Sequence, residues 1–161
     1  MKSRNIIYKE GFMKAKKIRG QRPIFVATAM AVAVTALWAV LFVPRLDIHP
    51  QAIKDGVDSS SKMFFSIQCM ATAVLLVCVI LSLSSGRIIS GFLSGLLYLA
   101  AGLLFLHDFM VFDGAVFYLQ NYEGFSEEAI LMLACVVANL IALILAIKAG
   151  NRYRELIKAA A

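Results

Sequence analysis

Polar and apolar positions along the chain fall into long blocks. Residues 24–43, 63–83, 88–106 and 129–147 contain no charged side chain, and each block approaches the ~20 apolar residues that carry a helix across the bilayer hydrocarbon. The third block is interrupted only by His107 and Asp108 before Phe109, Met110, Val111 and Phe112, so it reads as one tilted helix over 88–112. The pattern predicts an all-α integral membrane four-helix bundle with spans at about 24–43, 63–83, 88–112 and 128–148. A basic segment, 1–22, precedes the 23–148 membrane domain, and a basic tail, 149–161, follows it. Pro23 suits the first turn of the first span, where its missing N–H costs nothing. Ser126 before Glu127 and Glu128 reads as an N-cap with acidic residues in the first turn.

Within a span, lipid does not drive apolar helices together, so small residues and polar side chains mark the faces that meet protein. In the fourth span Glu128, Met132, Cys135, Asn139, Ala142, Ala146 and Gly150 follow one another in steps of three or four, the spacing of one helix face. Gln68, Thr72, Leu75, Val79 and Ser82 form the corresponding stripe of the second span, and Thr28, Ala31, Thr35 and Phe42 that of the first. In the third span Gly91, Gly95 and Gly102 lie close together around the helix, beside Tyr98, Phe105 and Phe109. These glycines, with Asn139, Ala142 and Ala146, are the expected helix-packing positions.

Composition agrees with the block pattern. Of 161 residues, 61% are hydrophobic and 16% charged, against roughly 45–50% and 25% in an average soluble domain. The length leaves no room for a soluble catalytic domain beside four spans. Net charge is +6, which in a soluble protein would raise the question of nucleic acid. Here the distribution points to a membrane surface, because eight bases lie within the first 22 residues, directly before a span. Lys14, Lys16, Lys17, Arg19 and Arg22 are the candidates for contact with anionic lipid headgroups. Residues 148–161 add four bases, whereas 113–128 hold four acids and no base. The positive-inside rule then places both termini in the cytoplasm, in a plasma or inner membrane. The leader is too long for a signal peptide, and no A-x-A-like site follows the first span. Its Ile7, Tyr8, Gly11, Phe12, Ala15 and Ile18 share one side at helical spacing, which predicts an amphipathic helix lying on the inner leaflet.

Candidate chemistry is sparse. Asp108 is an acid inside a span, where ionisable groups are functional candidates. With Gln68, Thr72 and Asn139 it outlines a candidate polar or ion path, and Gln68 stands at a depth from which it could donate to Asp108. His107 and His49 are weak metal candidates, since adjacent helix positions diverge and no H-x-x-x-H or E-x-x-H pair occurs. Cys69, Cys78 and Cys135 all fall inside spans and form no C-x-x-C, which argues for structural thiols. No phosphate-binding loop, dinucleotide fingerprint or hydrolase motif is present. The pattern calls for no cofactor and leaves room for a bound lipid or quinone.

These features predict a non-enzymatic tetraspan protein acting as a structural, assembly or accessory subunit of a larger membrane complex. Its partners are membrane lipids and other membrane subunits or further copies of itself, with no nucleic acid. A small oligomeric channel or transporter using Asp108, Gln68 and Asn139 is the alternative, and a redox or quinone-associated subunit the third reading. A topology reporter fused to either terminus is expected to report the cytoplasm. Activity on opposite sides for the two fusions would defeat the four-span reading.

Overall fold

The structure, a computed structural model, describes residues 2–41, 57–84, 87–121 and 127–159, with side chains placed over 21–40, 62–84, 88–116, 120 and 129–159. It consists of four helices, α1 Lys2–Leu41, α2 Val57–Leu83, α3 Arg87–Asn121 and α4 Glu127–Ala159. All four are long and apolar enough to cross a membrane. At about 1.5 Å per residue the 27 residues of α2 extend about 40 Å, so even the shortest helix exceeds a hydrocarbon core of about 30 Å.

Two expectations at the basic end are corrected. The leader is not a separate interfacial helix but the first half of the 40-residue α1. Once formed, a helix adds a residue at little cost, and Gly20 alone does not end it. Pro23 consequently sits in the helix interior and leaves the carbonyl of Arg19 without its usual backbone partner. At the other terminus α4 runs on through the basic segment to Ala159 and buries Ala149, Tyr153 and Leu156. Of the expected headgroup contacts, Arg22 is exposed, while the side chains of Lys14, Lys16, Lys17 and Arg19 lie outside the described residues, as do Ser126 and Phe42.

Each helix packs against the next and α4 returns to α1, closing a ring. Neighbours run antiparallel. Gln21 of α1 donates to the carbonyl of Ser82, Thr28 Oγ1 approaches that of Leu75 at 3.5 Å, and Ser94 of α3 donates to that of Gly150 at 3.0 Å. The α4 stripe is buried as expected from Met132 to Gly150. Gln68, Thr72, Leu75 and Ser82 are buried on α2, as are Thr28 and Ala31 on α1.

The third helix faces the other way from its glycine stripe. Gly95 and Gly102 are exposed, and a Cβ added at either meets nothing within 4 Å. Tyr98, Phe105 and Phe109 are exposed beside them. The buried face carries Leu93, Ser94, Leu97, Ala101, Leu104, His107, Asp108 and Val111. Only Gly91 retains a helix contact, with Ile157 Cδ1 3.7 Å from its added Cβ. Close approach is supplied instead by alanines on every helix, Ala27 and Ala31, Ala71, Ala100 and Ala101, then Ala142, Ala146 and Ala149. Alanine brings helices together without the backbone freedom that glycine adds.

The apolar interior is divided. One cluster centres on Ile24, Leu75, Leu93, Leu97, Leu104 and Tyr153, and a second on Val34, Trp38, Val111, Ala115, Met132 and Cys135. Polar residues occupy the level between them. Gly150 is the tight glycine of the fold, since an added Cβ would lie 3.4 Å from the Tyr98 ring and 3.6 Å from Leu97 Cβ. Gly150→Leu is therefore expected to destabilise the purified chain by about 1–3 kcal/mol through overpacking, while Gly95→Leu and Gly102→Leu leave its melting midpoint unchanged. Thermal unfolding in mild detergent checks both outcomes.

Candidate functional site

Every helix contributes to the level between the two apolar clusters. On α1 it is the carbonyl of Ala31, which takes Thr35 Oγ1–H at 2.8 Å. A hydroxyl four residues along a helix commonly bonds back this way. Because Thr35 has spent its proton there, Thr72 Oγ1 on α2 is the donor in the 2.9 Å contact between the two hydroxyls. Thr72 also lies 3.4 Å from the Ala31 carbonyl. It thus serves to fasten α2 to α1.

Gln68, one turn away on α2, donates through Nε2 to the same Ala31 carbonyl at 3.2 Å and to Asn139 Oδ1 on α4 at 3.2 Å. Asn139 Nδ2 returns a bond to Gln68 Oε1 at 2.8 Å. This reciprocal amide pair joins α2 and α4 across the bundle. Asn139 Nδ2 also stands 3.0 Å from His107 Nδ1 on α3. Gln68, His107 and Asn139 are each fully buried. Four helices are thereby linked through one connected set of hydrogen bonds.

The direction of these bonds follows from their starting point. A backbone carbonyl only accepts, so the nitrogen of Gln68 faces Ala31 and its oxygen faces Asn139 Nδ2. Reversing Asn139 would set two amide oxygens against each other. Its nitrogen therefore faces His107, whose Nδ1 can accept from it when that atom carries no proton. The orientation set at the Ala31 carbonyl is thus carried to a helix at the opposite side of the bundle.

Asp108 enters from beside His107, with Oδ1 3.3 Å from Nδ1. The side chains of these neighbours meet although their positions on α3 diverge. Gln68 does not take Asp108 as its partner, contrary to expectation, because it is engaged by Ala31 and Asn139. His107 Nε2 and Asp108 Oδ2 are both buried without a hydrogen-bond partner. The Trp38 ring stands edge-on to the imidazole, centroids 5.8 Å apart, and Phe64 packs on Trp38 in the same manner. The end of the site toward the second cluster is therefore aromatic and apolar.

Of the expected path residues, Gln68, Thr72, Asn139 and Asp108 are brought to one level rather than strung along the bundle. His107, expected only as a weak metal ligand, is its junction, and its position within an apolar run was the signal available in the sequence. Among the described residues no three His, Cys, Asp or Glu side chains group to hold a metal ion; His49 lies outside them. The cysteines are free thiols, with Cys78 and Cys135 buried and Cys69 half-buried. Comparison with protein-family models, with curated proteins and with solved structures gives no match for this chain.

Removing one partner of a buried polar pair costs about 1–3 kcal/mol, because the other is stranded. Gln68→Leu and Asn139→Leu are each expected to lower stability by that order. The double variant should lose clearly less than the sum, since neither residue then strands the other. Equilibrium unfolding of the three variants in detergent measures the coupling, and strict additivity would show that the pair is not a unit.

Proposed function

We propose that this chain is a non-enzymatic tetraspan membrane protein that works as a structural, assembly or accessory subunit of a larger membrane complex, with both termini in the cytoplasm. The observation that carries the reading is that Gln68, Asn139 and His107 are hydrogen-bonded to one another and to the Ala31 carbonyl across four helices. They are flanked on both sides by apolar clusters. An interior of this kind suits a rigid membrane element.

The outer face of α3 supports the partner side of the proposal. Gly95 and Gly102 leave open space there, between exposed Phe92, Leu99, Phe105 and Phe109. Indentations between bulky side chains are what a neighbouring helix fills when association in lipid depends on close packing. The twelve bases of the two terminal segments support the cytoplasmic orientation and a surface of anionic lipid.

A second reading, a small proton or cation conductor using Asp108, Gln68, Thr72 and Asn139, is favoured by the two buried atoms without partners, His107 Nε2 and Asp108 Oδ2. Purification from native membranes in mild detergent, after crosslinking, separates the two. The accessory-subunit reading expects a defined membrane partner that is lost with Gly95→Leu or Gly102→Leu while the chain itself remains folded. Recovery of the chain alone, together with proton or cation flux in reconstituted vesicles that Asp108→Asn abolishes, would replace it with the second reading.

A further inference from the structure

One nitrogen of His107 is claimed twice. Nδ1 lies 3.0 Å from Asn139 Nδ2 and 3.3 Å from Asp108 Oδ1. A ring nitrogen has either a lone pair or a proton to offer. Without a proton, Nδ1 accepts the Asn139 amide. With one, it donates to the carboxylate and has nothing for Asn139. The two arrangements exclude each other, and the charge on Asp108 decides between them. A carboxylate facing a bare Nδ1 sets lone pair against lone pair, whereas a protonated carboxyl does not.

We infer that His107 and Asp108 form an intramembrane proton-binding site whose occupancy decides which of the two takes the Asn139 amide of α4. When Asp108 holds the proton, both side chains are neutral, the imidazole proton stays on Nε2, and Nδ1 accepts from Asn139. When Asp108 gives its proton up to solvent, the imidazole proton moves from Nε2 to Nδ1 and is donated to Oδ1. The Asn139 N–H then turns from Nδ1 to the Asp108 carboxylate, the other acceptor on α3 within its reach. One proton leaves the site and one changes nitrogen within it; no electron or covalent bond to carbon is involved.

Two further observations fit this assignment. The atoms at which a proton would enter or leave, His107 Nε2 and Asp108 Oδ2, are the ones buried without a partner. The residues facing the pair from other helices are otherwise almost inert to pH. Trp38 on α1, whose ring meets the imidazole, and Phe64 on α2, packed on Trp38, do not titrate. On α4, beside Asn139 and Met132, Cys135 is the titratable neighbour, near enough to feel the charge of Asp108. The inference is independent of any partner protein, since it concerns a link internal to one chain.

The test uses the full chain in lipid nanodiscs, labelled with nitrogen-15 in histidine and in side-chain amides and carrying His49→Gln so that a single imidazole remains. Nitrogen spectra are recorded from about pH 4 to pH 9, the range in which histidine environments change. At the acid end the ring is expected as the Nε2–H tautomer, and it should invert to Nδ1–H as pH rises. The Asn139 amide signals should shift with the same midpoint. Asp108→Asn should hold the Nε2–H form throughout and abolish the inversion, and Cys135→Ala should leave the midpoint in place. A single tautomer across the range, direct passage to imidazolium without inversion, an Asn139 signal that ignores the transition, or an unchanged transition in Asp108→Asn each overturns the assignment.

Discussion

The carbonyl of Ala31 is the fixed point of the central polar level. It belongs to a helix backbone, cannot rotate and can only accept, so the groups bonded to it inherit an orientation. Gln68 passes that orientation to Asn139, and Asn139 passes it to His107. In water such a chain would compete with solvent at every link. Between apolar clusters the alternative for each member is an unsatisfied polar atom, which makes the arrangement specific even where a single bond contributes only about 0.5–2 kcal/mol.

That constraint also fixes how the helices meet. A carbonyl on α1, an amide on each of α2 and α4 and an imidazole on α3 can join only if the four helices hold one axial register. The alanine-lined cluster on one side and the aromatic cluster around Trp38 on the other then pack around this register. Close approach through alanine is what lets short amide side chains reach across the bundle. Gly150 plays the same part at the far end of α4, where the Tyr98 ring lies over it and Ser94 bonds its carbonyl.

For function, the arrangement concentrates the polar chemistry of a largely apolar chain at one level. The same hydrogen bonds that make the bundle rigid converge on a histidine next to an acid, and that histidine is the member able to change its mind about which partner it serves. Rigidity and a response to protons are thus compatible in one site. The exposed surface of the described spans is largely apolar, with Gly95 and Gly102 as the places where another helix would find room.

Block hydrophobicity by itself determined the four long helices, because a segment that must satisfy its backbone inside lipid has little choice but to be helical. The inward faces of α1, α2 and α4 were equally legible, since Thr28, Gln68, Thr72 and Asn139 are polar residues that cannot profitably face lipid. The third helix was misread from its glycines. Small residues at helical spacing leave room for a neighbour without saying which one, and the polar markers Ser94, His107 and Asp108, which lie on the opposite side, carried the reliable signal. Segment ends were also beyond the block pattern: hydropathy reports where lipid begins, while the hydrogen-bonded helix runs on into Lys2–Leu41 and through Tyr153 to Ala159. Only the tertiary structure decided that Gln68 bonds Asn139 and Ala31 rather than Asp108, and that His107 stands at the junction. Which of several polar groups at a similar depth become partners depends on the order of helices around the bundle and their axial register, and neither is written in the periodicity of any one segment.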